Sequence, residues 1–322
     1  MDERPNFTKT RIAPTPSGYL HLGNILSFVY TVALARRAGA RVLLRIDDLD
    51  QERVNPGYVQ DIFDTLNFLD IPWDEGPRNF VEYEKEYSQL HRMGLYRQAL
   101  DRLKESGNVF ACTCSRTSIL RESADGSYPG TCRQKGLLLN TENAGWRLRT
   151  EEERELVVKS LVVPGRGDGT SDQEIREKDG NRIPARMQVR ASLPKIMSDF
   201  LVRKKDRFPA YQLTSLVDDL HFGIDLIVRG EDLWDSTLAQ HYLSFPLLEQ
   251  DRFQEITFYH HALLTDEAGR KLSKSEGDTS IQYLRRKGWS PADVYSWIAG
   301  KLKRGVVVKN WDELSKVLEP LP

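Results

Sequence analysis

The sequence predicts a doubly wound α/β fold: a parallel sheet split by an inserted, cysteine-bearing module and followed by a short helical C-terminal region. Three observations carry that reading. Residues 9–47 alternate strand, turn, helix and strand; an apolar strand, Leu226-Ile227-Val228, returns far downstream; and all three cysteines fall between Cys112 and Cys132, in a Ser-, Thr- and Gly-rich stretch unlike its flanks. The expected divisions are 1–110 for the first half of the sheet domain, 111–198 for the inserted module, 199–255 for the second half and 256–322 for a lysine-bearing loop and the helical C-terminal region.

Thr10-Arg11-Ile12 enters as a strand and stops at Ala13-Pro14-Thr15-Pro16-Ser17-Gly18, where two prolines and a glycine break regular structure. Leu26 to Arg37 carries apolar residues at helical spacing, and Gly39 supplies the C-cap. Arg41 to Ile46 is the short apolar run that parallel sheets bury. A ligand of such a strand–helix–strand unit sits in the loop at the strand's carboxyl end. Residues 56–70 and 84–106 read as amphipathic helices, 163–184 as an exposed loop rich in glycine and charge, and Tyr283 to Leu321 as helical. Between Ile281 and Lys309, Arg285, Arg286, Lys287, Lys301, Lys303, Arg304 and Lys309 face Asp293 alone. That stretch suits a phosphate backbone or, equally, a solvated helix face.

Composition excludes several classes. With 46 basic and 47 acidic residues in 322, net charge is −1, so attraction of polyanions by bulk charge is out. An apolar share of 39 % is enough for a core, which excludes global disorder. No run approaches the roughly 20 apolar residues of a membrane span, and Met1-Asp2-Glu3-Arg4 is no secretory signal. The expectation is a cytoplasmic chain with no membrane partner, in which clustered cysteines point to a metal rather than to disulfides.

Two motifs carry chemistry. His21-Leu22-Gly23-Asn24 opens a helix directly after the Pro-rich turn, and free N–H groups with a nearby imidazole suit a polyphosphate. Gly23 lets a flat ring approach the backbone. Lys271-Leu272-Ser273-Lys274-Ser275 lies far downstream, where two lysines on a loop can bring positive charge to a pyrophosphate. Either motif alone is an ordinary helix start or a solvated turn. Together they resemble the two signatures of class I aminoacyl-tRNA synthetases.

The flanks narrow the resemblance. Arg11 to Gly18, Arg45-Ile46-Asp47-Asp48, Ala210-Tyr211-Gln212-Leu213 and Val228-Arg229-Gly230-Glu231-Asp232 are similar to the catalytic core of glutamyl-tRNA synthetases, and closer still to their short paralogues, the glutamyl-Q tRNA(Asp) synthetases. The likeness runs from Arg11 to about Trp289 and is weakest over 134–198. It implies a Rossmann-type nucleotide-binding domain that activates L-glutamate with ATP and Mg²⁺ and passes it to the queuosine of tRNA(Asp). It implies that Arg11, Ala13 and Thr15, with Ile12 and Pro14 between them, hold glutamate together with Asp47, Tyr211 and Arg229. It also implies that His21, Gly23, Asn24 and Lys274 bind ATP, with His21, Lys271 and Lys274 catalytic. The family usually carries glutamate at the position of Asp47. Only 47 residues follow Ser275 in this chain of 322, so no anticodon-binding domain is expected, and a monomer is.

Each position has a plainer reading. Arg45 and Asp47 could be a strand-end ion pair, Tyr211 a core aromatic, and Arg229 an exposed arginine ending a strand. Six pocket residues in register with one family outweigh these separate readings. Cys112-Thr113-Cys114 and Cys132 are one ligand short of the four that zinc prefers. The resemblance implies Tyr128 as the fourth and one Zn²⁺ per chain; three free thiols without an ion is the alternative. Two further functions share these residues: a truncated glutamyl-tRNA synthetase charging a tRNA 3′ end, and a non-catalytic zinc-stabilised RNA-binding protein. Intact His21, Lys271 and Lys274 speak against the idle one.

Overall fold

Glycine and the alternation of apolar side chains shape the first unit. Strands β1 (Lys9–Ile12) and β2 (Arg41–Leu44) run parallel, Lys9 opposite Arg41 and Ile12 opposite Leu44, and helix α1 (Leu22–Ala38) joins them. Gly39 ends α1 at φ 69°, its N–H bonded to the carbonyls of Ala35 and Arg36, a conformation in which any Cβ would be strained. The computed structural model describes residues 6–151, 153–161, 186–264, 280–302 and 305–318.

Helix α2 spans Pro56–Phe68, with Asn55 as its N-cap. The single helix expected over 84–106 is broken: α3 (Phe80–Glu82), a π turn at Tyr83–Tyr87 and a 3-10 turn at Gln89–Arg92 precede α4 (Met93–Glu105). The cause is Ser88. Its backbone leaves helical space at ψ 142° while its hydroxyl and the N–H of Gln89 donate to the buried Asp48 carboxylate, at 2.5 and 2.8 Å. A tertiary contact overrides the local period.

The chain continues through β3 (Val109–Cys112), α5 (Arg116–Glu122), β4 (Gly145–Leu148), β5 (Glu155–Leu161), β6 (Arg186–Ser192), β7 (Leu201–Arg203), α6 (Tyr211–His221), β8 (Leu226–Gly230), α7 (Trp234–Ser244), α8 (Gln250–Phe253), β9 (Thr257–His261), α9 (Ile281–Arg286), α10 (Pro291–Lys301) and α11 (Trp311–Val317). Among the described residues, one sheet has the order β2-β1-β8-β9-β5-β6, parallel except for the antiparallel β5–β6 pair. A second, antiparallel sheet, β3-β4-β7, adjoins the cysteines. Strands β5 and β6 fall inside 111–198 yet extend the main sheet. The loop expected at 163–184 lies outside the described residues.

Strand side chains alternate between two cores. Val42, Leu44, Leu226 and Val228 pack with α1, α10 and α11, whereas Leu43, Ile227 and Phe258 pack with α4, α6 and α7. Burial on both faces is why these strands are continuous apolar runs. The chain winds from β1 to β2 on one side and from β8 to β9 on the other, so the order reverses between β1 and β8. In open α/β sheets ligands bind at that crevice.

The C-terminal region is helical as expected and closes one core, with the Tyr295 hydroxyl donating to the Leu69 carbonyl at 2.6 Å. Arg285 of α9 is committed to the buried Asp61 of α2 rather than to solvent. Lys303 and Arg304 lie outside the described residues. No helix among the described residues is long and apolar enough to cross a membrane.

Candidate active site

A cleft of about 350 Å³ opens at the carboxyl ends of β1 and β8. The Pro-rich turn forms one wall, held down by backbone hydrogen bonds from Arg45 to the Ile12 carbonyl (2.9 Å) and from Asp47 to the Pro14 carbonyl (3.0 Å). Arg11, Ile12, Ala13, Pro14, Thr15, His21, Gly23, Asn24, Asp47, Tyr211 and Arg229 all line it. These are the expected glutamate and nucleotide residues, apart from Lys271 and Lys274, which lie outside the described residues. Their flanks reach the cleft: Leu264 lines it, and Ser280 pairs with His21.

His21 is the N-cap of α1. Its Nδ1 accepts the Gly23 N–H at 3.1 Å, and the Asn24 side chain accepts the His21 N–H at 3.0 Å. An accepting Nδ1 places the neutral ring's proton on Nε2 as a donor. A Cβ at Gly23 would lie 3.1 Å from the His21 ring, so the glycine makes room for the cap as well as lining the cleft. No acidic side chain occupies the first turn of α1, which leaves the positive end of the helix to an anion.

The buried floor is charged. Arg45 makes a bidentate pair with Asp47 (2.7 and 3.1 Å) and donates to Asp219 at 2.7 Å; Arg11 reaches the same Asp219 oxygen at 3.0 Å. Burial raises the Asp47 carboxyl above its ordinary value and Arg45 partly offsets that rise. Asp48 does not join this group: Tyr83, Ser88 and Gln89 take its carboxylate. Arg229 donates through Nη2 to Thr237 and, at 3.2 Å, to Gln240. No described residue accepts a hydrogen bond from its Nε or Nη1, although the Tyr211 hydroxyl, from the same cleft, is near enough to favour the charged guanidinium. Burial, reinforced by Arg11, lowers the Arg229 guanidinium to about 10, so it is cationic at neutral pH. His260, 2.7 Å from Thr237, is pushed down to about 3 by burial and by Arg229, and is therefore neutral. Asp218, paired with Arg92, also lies 4.0 Å from Arg45, so in this buried network Arg11, Arg45, Arg92 and Arg229 stand against Asp47, Asp218 and Asp219, and the excess is positive.

In the cysteine cluster, the Sγ atoms of Cys112, Cys114 and Cys132 all lie within 4.8 Å of one another. Cys114 and Cys132 are 3.6 Å apart, and the Tyr128 hydroxyl is 3.5 Å from Cys112. Tetrahedral sulfur ligands about 2.3 Å from an ion are spaced by nearly that distance. Burial opposes ionisation of Cys132, but donation from the Thr113 backbone and the Cys114 thiol brings it to about 7. Arg147 stacks on the Tyr128 ring, 3.8 Å from its centroid. Three thiols and a phenol converge as a metal-binding set would.

Residues 8–319 match the family model described as tRNA synthetases class I (E and Q), catalytic domain. The chain belongs to this family. It is a class I aminoacyl-tRNA synthetase-like ligase. It is 34 % identical over 294 residues to a glutamyl-Q tRNA(Asp) synthetase of Prochlorococcus marinus (strain MIT 9313), covering 90 % of this chain and 80 % of that one. It is 37 % identical over 296 residues to the protein of that name from Parasynechococcus marenigrum, covering 92 % and 83 %. Against the Rhodobacter capsulatus protein the figures are 31 % over 301 residues, covering 88 % and 97 %. The crystal structure of glutamate-tRNA synthetase from Elizabethkingia anophelis shares the fold, with a TM-score of 0.67 at 20 % identity. The match covers 96 % of this chain and 65 % of that longer one.

Several residues around the synthetase cleft escape a reading from sequence. Asp218 and Asp219 are both fully buried near the end of α6. Asp218 accepts from Arg92, Gln89 and Tyr96, and Thr237 and Gln240 fix Arg229 from α7. The available signal was two adjacent aspartates inside the apolar pattern of Leu213 and Leu216, because buried carboxylates need partners.

Proposed function

We propose that the protein activates L-glutamate with ATP and transfers the glutamyl group to the queuosine of tRNA(Asp). One observation carries the glutamate assignment: the floor holds Arg11 and Arg229 beside Asp47, and Arg229 keeps two buried donors without a partner among the described residues. A substrate with two carboxylates and one ammonium, net −1, matches that arrangement. Arg229 offers a planar fork suited to a carboxylate, and Asp47 an acceptor for the ammonium. Aspartate reaches less far than glutamate, and its bidentate grip on Arg45 fixes where its oxygens sit. The tRNA assignment is supported by the names of the relatives.

In the first step the substrate carboxylate attacks the α-phosphorus of ATP and pyrophosphate leaves. His21 donates from Nε2, and the positive end of the α1 dipole, which carries no acidic side chain in its first turn, stabilises the phosphate charge. Lys271 and Lys274 supply further positive charge, and Mg²⁺ carried by the nucleotide offsets the rest. In the second step an RNA hydroxyl attacks the activated carbonyl and AMP leaves. Neither step needs a covalent enzyme intermediate. Cys112, Cys114, Cys132 and Tyr128 would hold one Zn²⁺, which would supply a structural cross-link between β3 and the loop after α5. Replacing Tyr128 by Phe is expected to weaken zinc binding while leaving it measurable, because three thiolates persist; competition with a chromophoric chelator measures it. Unchanged affinity would remove Tyr128 from the ligand set.

The deciding experiment has two arms. Glutamate-dependent exchange of pyrophosphate into ATP is expected without any RNA, since both nucleotide motifs and the glutamate residues belong to one chain. Exchange with another amino acid instead would overturn the substrate. Transfer is then measured to tRNA(Asp) with and without queuosine, beside tRNA(Glu). Label on the queuosine-bearing tRNA alone is expected; label on a 3′ end would identify a truncated glutamyl-tRNA synthetase.

A further inference from the structure

We propose that Asp219 is a positioning residue of the glutamate site, setting the orientation of Arg11 through a carboxylate oxygen that Arg11 shares with Arg45. The inference rests on the glutamate reading above. Asp219 is fully buried and does not line the cleft, so it acts on the substrate only through others. Its Oδ1 accepts from Arg11 Nε at 3.0 Å and from Arg45 Nη1 at 2.7 Å. The two guanidinium groups come from the ends of neighbouring strands and would repel each other without that oxygen. A guanidinium is a rigid plane, so holding Nε fixes the direction of every other N–H that it presents. The second contact of Arg11, from Nη1 to the Val228 carbonyl, is long at 3.4 Å, which leaves Asp219 as the stronger hold.

The neighbouring aspartate shows that this is not merely a buried charge. Tyr211, Ser215 and Asp219 recur at four-residue intervals on α6, one stripe whose first member lines the cleft. Asp218 accepts its hydrogen bonds from Arg92, Gln89 and Tyr96, none of which lines the cleft, and meets the cleft residue Arg45 only at 4.0 Å. Two adjacent carboxylates of equal burial therefore differ in their hydrogen-bond partners: those of Asp218 all lie away from the cleft, and both of those of Asp219 line it.

The test is pyrophosphate exchange titrated separately with glutamate and ATP. In Asp219→Asn, the KM for glutamate is expected to rise about tenfold or more, with the KM for ATP within about twofold. Asp219→Glu retains the charge but moves it by a methylene. It is expected to raise the glutamate KM as well, and it decides the matter if the asparagine variant does not fold. Combining Arg11→Lys with Asp219→Asn should cost less than the product of the two single effects, because the part of the Asp219 effect that runs through Arg11 is already lost in Arg11→Lys. Glutamate KM values unchanged in both Asp219 variants, or glutamate and ATP constants rising together, would overturn the inference. So would multiplying effects in the combined variant. Failure of the parent protein to use glutamate would overturn the functional reading instead.

Discussion

Replacing Arg229 by glutamine is expected to lower kcat/KM for glutamate by about 10³-fold, roughly 4 kcal/mol, the loss of two hydrogen bonds to a charged group. The size follows from burial. Arg229 is 3 % exposed, two of its donors have no partner among the described residues, and Thr237 and Gln240 hold its other edge. A glutamine reaches less far and offers no planar pair of charged donors. Nucleotide affinity should stay near the parent value, because the expected phosphate contacts come from the N-terminus of α1 at His21, not from β8. Exchange kinetics with glutamate varied at saturating ATP measure the effect. A loss under about threefold would mean that the unpartnered donors serve the fold alone.

Asp218→Ala is expected to destabilise the chain by about 3–5 kcal/mol, the range for stripping one partner from a buried ion pair. Arg92 donates twice to Asp218, and Tyr96 and Gln89 once each, all between 2.7 and 3.1 Å. Burial alone would raise the Asp218 carboxyl; the hydrogen bonds and charge of Arg92, with Arg45, hold it below its ordinary value. A depressed folded pKa contributes stability above the unfolded value of about 4 and loses it as pH falls through the folded one. The parent should therefore lose stability on acidification faster than the variant. Urea unfolding of both proteins at neutral and acidic pH tests this, and parallel pH curves would contradict it.

The frame around the first half of the site was legible because its chemistry is local. The Pro-rich turn, the helix cap and the strand end at Arg45 and Asp47 lie within forty residues, where turn chemistry and periodicity speak directly. The substrate residues in both halves, Arg11, Ala13, Thr15 and Asp47 as much as Tyr211 and Arg229, came through resemblance to a family. Their supporting residues were illegible because partnership is tertiary: nothing in the pattern of α6 says that Asp218 faces α4 while Asp219 faces β1. The same blindness explains the broken helix before α4, where Asp48 draws Ser88 out of register. The cysteine set was legible as a cluster, since all three lie within one short stretch. That β5 and β6 leave this stretch for the main sheet was not, because edge pairing leaves little trace in an alternating strand.

The neighbour relation between β1 and β8 also sets a schedule for synthesis. Arg11 meets the Val228 carbonyl across 217 residues of chain, and β1 lies between β2, which follows at once, and β8, which does not. At about 5–20 residues per second, a ribosome that has released β1 and β2 needs roughly 10–40 s to make the strand that covers them. During that interval one edge of β1 is an open template for any passing strand, and its apolar faces lack half their packing. The nascent chain is then a client for whatever shields apolar segments at the tunnel exit, and codons that slow translation between β2 and β8 lengthen the exposure.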